Sequence, residues 1–341
     1  MDTTIVVAVA LLWSVSGGVH DAGTLTASGV ASRALSPRGA LALVCLFGFA
    51  GPMVAGTAVA STIGSFVDLG DLAPTTALRT IVAGLAAAIG WNALTWRLGL
   101  PASSTHGLVG GLVGATLVAA GPDDVVWGGG ALAEGRLDGV LKVLVALLAS
   151  PLVGLLAGAV VLRAMAWALR SGTVAWNRRL RRAEWPAIAA LSFAHGANEA
   201  QKSMGVIALA LLVAGGSDTL EVPLWARVLC AATIPLGAVA GGWRIVRTLG
   251  FGIYRLRPIH AAAAQGTGAL VVAATSVWGG PVSTSQVMSS AIIGVGASEH
   301  ARRVRWETGK SILVAWLLTI PCTAALAALI VGLLRALGAM G

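Results

Sequence analysis

Ten apolar runs organise this sequence, at about 4–32, 39–65, 77–98, 103–121, 139–169, 186–215, 224–249, 260–278, 281–297 and 309–338. Most approach or exceed the roughly 20 residues that a helix needs to cross about 30 Å of hydrocarbon. Backbone polar groups in hydrocarbon must be paired within the segment itself, so the runs predict membrane helices. The first and sixth runs are longer than one crossing needs and carry polar interruptions. Each is read as a broken helix, which raises the count of pieces to about twelve. Composition agrees with a membrane protein. Only 11% of the 341 residues are charged and 57% are hydrophobic, against about 25% charged in a soluble domain. That excludes an ordinary soluble enzyme and a disordered chain alike. Mean hydropathy is +0.85.

The net charge of +9 would suggest nucleic acid in a soluble protein. Here it reads as arginine beside anionic lipid, with the bilayer as partner and no nucleic acid. Of 23 basic residues only Lys142, Lys202 and Lys310 are lysine. Basic loops (Arg33 and Arg38; Arg97; Arg178, Arg179, Arg181 and Arg182; Arg244 and Arg247; Arg302, Arg303 and Arg305) alternate with acidic ones (Asp68 and Asp71; Asp123 and Asp124; Asp218 and Glu221). The positive-inside rule then predicts a multi-pass plasma-membrane protein with both termini extracellular and the 171–185 linker cytoplasmic. The first run reads as a first span, not a cleavable leader. Cys45, Cys230 and Cys322 lie in apolar runs at no disulfide or metal spacing, and no covalent cofactor is expected.

The chain repeats itself. Leu100-Pro101-Ala102-Ser103-Ser104-Thr105-His106 matches Gly280-Pro281-Val282-Ser283-Thr284-Ser285-Gln286 at an offset of 180. Val19-His20-Asp21-Ala22 matches Ala197-Asn198-Glu199-Ala200 at an offset of 178, and Lys142 with Pro151 matches Lys310 with Pro321. The matches divide the chain into an N-terminal repeat, 1–170, the basic linker 171–185, and a C-terminal repeat, 186–341. Each repeat holds five runs, and an odd number turns the second upside down in the membrane. The predicted fold class is therefore an all-α polytopic membrane protein of two inverted-topology repeats, with broken helices at the midplane. Secondary transporters are built this way, with their site between the repeats.

Asp21 and Glu199 are acids deep inside apolar runs, at matching places in the repeat. A carboxylate in hydrocarbon costs about 2.5–3.5 kcal/mol on the most lenient scale. The pair is either structural, satisfied by helix-end amides, or it coordinates a cation, carries a proton, or both. Glycines flank both sites (Gly17, Gly18 and Gly23; Gly196) and suggest breaks that free carbonyl oxygens for a hard cation such as Na⁺. Gln201 lies within one helical turn of Asn198, in reach of the same site. The two hydroxyl-rich stretches each start a helix. Capping explains one hydroxyl but not three in a row, twice. Helix N-terminal amides with adjacent hydroxyls can cradle an oxyanion.

On these motifs the sequence resembles the inorganic phosphate transporter (PiT) family of phosphate and sulfate permeases. That family carries a Gly-Ala-Asn-Asp signature and a Pro-x-Ser-Thr-Thr-His motif in each half. The C-terminal signature stands here as Gly196-Ala197-Asn198-Glu199, and Ser32–Pro37, Arg257-Pro258-Ile259 and Ala315–Pro321 are further landmarks. The resemblance implies phosphate symport with Na⁺ or H⁺. It places phosphate ligands on Ser103, Ser104, Thr105, Ser283, Thr284 and Ser285, and cation ligands on Asp21, Asn198 and Glu199. Four positions depart from the family: His20 and Thr24 stand where it has asparagine, Glu199 where it has aspartate, and Gln286 where it has histidine. His20 and Thr24 thus join the coupling site by position. His20 either adds a titratable group to coupling or only hydrogen-bonds Asp21.

Retention of both acids favours phosphate over sulfate, because a carboxylate accepts a phosphate O–H and repels an anion that has none to give. Sulfate permease and anion channel are the alternatives. A third class is an intramembrane hydrolase using Ser104 or Ser283 with His106 or His20 and Asp21. It lacks a Gly-x-Ser-x-Gly elbow and has no need of its motif twice. The sequence leaves the oligomeric state open, a homodimer included.

Overall fold

The computed structural model describes residues 2–340. Ten long helices account for the ten apolar runs: α1 (Thr3–Ala31), α2 (Pro37–Val54), α4 (Pro74–Leu98), α5 (Ser104–Ala119), α7 (Gly139–Ala168), α8 (Ala175–Val213), α9 (Leu224–Ala240), α11 (Pro258–Val277), α12 (Thr284–His300) and α13 (Trp306–Ala336). Between them lie three short α-helices, α3 (Ala58–Gly64), α6 (Gly129–Ala133) and α10 (Trp243–Val246), the last continued by a short π-helix over Arg247–Phe251, and a 3-10 turn at Ala301–Arg303. α1, α2, α4, α7 and α13 are each long and apolar enough to cross a membrane; α9 and the following Trp243–Phe251 segment pass the same test only together, as a pair bent by 68° that is either a broken span or a re-entrant loop. On α7, Leu148, Leu152, Leu156 and Val160 form an outward stripe at four-residue spacing, each more than 60% exposed. Such a face suits lipid.

Breaks occur, but not where the glycines suggested. α1 runs unbroken through Gly17, Gly18 and Gly23, and α8 through Gly196. The polypeptide instead breaks between α2 and α3, at 55–57, and at Gly241-Gly242, where Gly242 has φ +132°. The mid-helix glycines serve close helix packing. A Cβ on Gly18 would lie 3.1 Å from Gly237 Cα of α9, and one on Gly196 would lie 2.9 Å from Gly48 Cα of α2. Small residues let membrane helices approach this closely. α1 thus packs on the second long helix of the C-terminal half, and α8 on the second long helix of the N-terminal half.

α5 and α12 begin inside the bundle. Gly99 (φ +68°) ends α4, and Gly279 (φ +77°) follows α11. Extended stretches 100–103 and 280–283 then lead to the serine N-caps, Ser103 (φ −101°, ψ 109°) and Ser283 (φ −98°, ψ 109°). The basic stretch Arg178–Arg182 belongs to the first turns of α8 rather than to a loop. Two apolar cores flank the centre. One gathers Trp13, Ile63, Ile81, Leu108 and Ile207; the other gathers Leu25, Leu191, Ile245, Ile292 and Ile312. Buried polar residues of α1 (Ser14–Asp21) and α8 (Ser192–Ser203) lie between the two cores along their helices.

Candidate functional site

The three hydroxyls of each stretch do three different things. Ser103 and Ser283 cap their helices, accepting from the amides of His106 (3.1 Å) and Gln286 (3.4 Å). Thr105 and Ser285 bind the two stretches together. Thr105 Oγ1 donates to Val282 O (3.3 Å) and Ser285 Oγ donates to Ala102 O (2.8 Å). These two bonds are images of one another at the 180-residue offset. Ser283 Oγ also lies 3.0 Å from Ser285 Oγ. The middle residues, Ser104 and Thr284, face α8. Ser104 Oγ donates to Glu199 Oε1 (2.7 Å), and Thr284 Oγ1 pairs with His195 Nδ1 (3.0 Å).

Asp21, His195 and Glu199 each bring one ligating atom within 4.8 Å of the other two. All three are buried. His195 Nε2 has no hydrogen-bond partner among the described residues. Two carboxyl oxygens and an imidazole nitrogen form a donor set that suits a small cation or a shared proton. Lys202, one turn beyond Glu199, is fully buried; its ammonium pairs with Glu199 Oε2 and donates to Thr105 Oγ1 (2.5 Å) and Val282 O (2.9 Å). With both acids ionised and His195 neutral, the cluster carries one net negative charge. Apart from the His106 and Gln286 amides, which the serine caps satisfy, the first amides of α5 and α12 have no acceptor within their own helices, so the cluster borders two donor-rich helix starts.

Other expected site residues lie elsewhere. His20 does not meet Asp21. Its Nε2 lies 2.9 Å from Asn92 O and 3.3 Å from Thr95 Oγ1, on α4. Neighbours on a helix are about 100° apart and cannot share a face. Asn198 turns away from Glu199 for the same reason. Its Nδ2 donates to Ser276 Oγ (2.9 Å) and Gly280 O (3.2 Å), while its Oδ1 is buried with no hydrogen-bond partner among the described residues. His20 and Asn198 therefore have parallel placements, each reaching the C-terminal part of the helix that precedes a hydroxyl stretch, or the turn after it. The Gln201 carbonyl oxygen accepts from the Val59 and Ala60 amides (2.8 and 3.4 Å), capping α3 instead of lining the cluster. Thr24 is buried, and its hydroxyl lacks a hydrogen-bond partner among the described residues. His106 and Gln286 line a separate cavity of about 590 Å³ with Trp306, Lys310 and Trp316. The hydrolase constellation is thus not assembled, since Ser104 meets a carboxylate, Ser283 caps α12 and meets Ser285, and His20 and His106 face other neighbours.

His195 is the cluster member that the sequence signals least; Lys202, a lysine inside an apolar run, already marks itself as a partner for a buried acid. Both lie on the face of α8 that carries Glu199, at its i−4 and i+3 positions, and that spacing is the only local signal for His195.

A buried acid–imidazole–ammonium cluster between hydroxyl-rich helix starts, inside a bundle of apolar helices, is the kind of site a membrane transporter uses, and likeness to known proteins assigns the class. A model of the phosphate transporter family matches residues 17–187 and 176–327. A Mycobacterium bovis protein described as "Probable low-affinity inorganic phosphate transporter" is 39% identical over 98% of this chain and 78% of its own length. Proteins with the same description from Bacillus subtilis (35%; 96% of this chain, 95% of theirs) and Rhizobium meliloti (37%; 95% and 93%) are also similar. The chain belongs to the phosphate transporter family. Its fold matches a solved structure titled "The sodium-dependent phosphate transporter" with a TM-score of 0.86 and 23% identity, over 98% of this chain and 99% of that one.

Proposed function

We propose that the protein imports inorganic phosphate across the plasma membrane by symport with a cation, Na⁺ or H⁺. The observation that carries this reading is the bond from Ser104 Oγ to Glu199 Oε1. It joins the start of α5, where an anion would be held, to the Asp21–His195–Glu199 cluster, where a cation would be held. An anion arriving beside two carboxyl groups meets repulsion unless positive charge arrives with it. A cation or proton in the cluster removes that repulsion, so each ligand favours the other. Ser104 and Thr284 would donate to phosphate oxygens together with the helix-start amides. A carboxylate of the cluster would accept the phosphate O–H. Sulfate has no such proton, which favours phosphate, and phosphate transport is also what the names of the relatives describe.

The mirrored bonds of Thr105 and Ser285 support two inverted repeats, 1–170 and 186–341, that meet at this site. Ser104 and Thr284 are both buried, so a substrate reaches the cluster only when the helices around it shift. The positive-inside pattern supports extracellular termini and a cytoplasmic 171–185 segment. Labelled phosphate and sulfate uptake into proteoliposomes, under separate Na⁺ and pH gradients, tests the proposal. Gradient-driven, phosphate-selective uptake is expected. Uptake that ignores both gradients would remove symport, and absence of trans-stimulated exchange would favour a channel.

A further inference from the structure

Lys202 is a buried ammonium surrounded by oxygen atoms. It lies on the face of α8 that carries Glu199 and is fully buried, so it does not snorkel to an interface. Around its Nζ stand three oxygens of three kinds: the Glu199 carboxylate, the Thr105 hydroxyl at 2.5 Å and the Val282 carbonyl at 2.9 Å. Carboxylate, hydroxyl and carbonyl together form the ligand set that a hard cation takes from a protein. A lysine ammonium has three N–H donors, and these three acceptors use all of them. Lys202 thus has no N–H left for an anion. It acts as positive charge held against Glu199, not as a hand reaching for phosphate.

The other half of the molecule lacks this charge. The 178-residue offset that aligns Asp21 with Glu199 aligns Thr24 with Lys202. Among the described residues the Thr24 hydroxyl is buried without a hydrogen-bond partner, and no ammonium or guanidinium pairs with Asp21 as Lys202 pairs with Glu199. The two matching places therefore differ by one fixed positive charge. We propose that the Lys202 ammonium is a tethered cation that takes the place of a mobile one beside Glu199, leaving a single mobile-cation place at Asp21 and His195. The proposal rests on the cation-coupled reading above and specifies it: the protein moves one cation fewer per anion than it would with a neutral residue at 202.

The test reads cation binding without transport. Melting of the purified full-length protein is followed in phosphate-free buffer as NaCl replaces choline chloride at constant ionic strength. Lys202→Ala vacates the ammonium's place and is expected to gain a Na⁺-dependent rise of about 2–4 °C beyond any shown by the parent. Lys202→Arg keeps the charge and should show no gain. Glu199→Gln/Lys202→Ala removes both charges together and should lose the gain as well. A Na⁺ response in Lys202→Ala equal to the parent's would reduce Lys202 to a structural ion pair, and so would a gain that survives in the double variant. If Lys202→Ala folds only when Na⁺ is present during extraction, the proposal stands. If it aggregates at every NaCl concentration while the double variant stays folded, the proposal falls. None of these readings depends on phosphate uptake, so failure of the transport proposal is scored separately.

Discussion

Ser104, at the first turn of α5, donates a 2.7 Å hydrogen bond to Glu199, at the middle of α8. The two residues lie 95 positions apart and come from opposite halves of the chain. Through this bond the start of one half's hydroxyl-rich helix is tied to the acid of the other. Thr284 repeats the arrangement from the opposite side but meets His195, four residues before Glu199. The equivalence is therefore broken at one contact, where an imidazole takes the partner that symmetry would give to Asp21.

Ser104→Ala and Thr284→Ala should each weaken phosphate binding. Loss of one hydrogen bond to a charged group costs about 1.5–3 kcal/mol, or roughly 10- to 150-fold in affinity. Ser103→Ala should act differently, because Ser103 is a cap, and lower stability by about 1 kcal/mol. Phosphate titration by calorimetry on protein shown to be folded separates the two classes. Undiminished affinity in both Ser104→Ala and Thr284→Ala would leave no anion cradle at these helix starts.

Neutralising either acid should uncouple uptake from the cation. Asp21→Asn keeps the shape of the side chain and removes its charge, so gradient-driven uptake should be lost while weak anion binding persists. Glu199→Gln additionally strands the Lys202 ammonium, and removal of one member of a buried pair costs about 3–5 kcal/mol. Its melting temperature should therefore fall more than that of Asp21→Asn. Full gradient-driven uptake in a folded variant would make that carboxylate structural.

His20→Asn should leave the cation and pH dependence of uptake as they are in the parent. The imidazole faces Asn92 and Thr95 on α4, not Asp21. Its removal should cost about 1 kcal/mol of stability for the lost hydrogen bond. A flattened pH profile together with new Na⁺ dependence would bring His20 back into the coupling site.

Gly196→Ala should destabilise the protein although alanine favours helix. The added Cβ would meet the backbone of α2 at Gly48, and overpacking of this kind typically costs about 1–3 kcal/mol. Gly266→Ala, on α11 with open space around its Cβ position, serves as the control and should be neutral or mildly stabilising. Thermal unfolding in detergent compares them directly.

Much of the architecture was legible because hydrophobic length is a one-dimensional property. The ten apolar runs became ten long helices, and the repeated stretches at Ser103 and Ser283 became two helix starts with nearly the same backbone angles. The acids at Asp21 and Glu199 were legible as a pair for the same reason, since a carboxyl group inside an apolar run has few innocent explanations. The glycines misled. A glycine permits a helix break and also permits two helices to touch, and the sequence around Gly18 and Gly196 does not separate these uses. Contact with Gly237 and Gly48 does.

Sequence alone determined that the chain is a membrane helix bundle, that its hydroxyl stretches and buried acids recur at matching offsets, and that two acids lie deep inside apolar runs. Only the tertiary structure decided which side chains share the site. Helical rotation of about 100° per residue sends His20 to α4 and Asn198 toward α11 while Asp21 and Glu199 turn inward. It also assigns the six hydroxyls to capping, to cross-linking, or to the cluster, and gives Lys202 to Thr105, Val282 and Glu199 together. Partners 72 to 183 residues apart in the chain meet through helix packing, and no local pattern in the sequence encodes the angle at which two helices face each other.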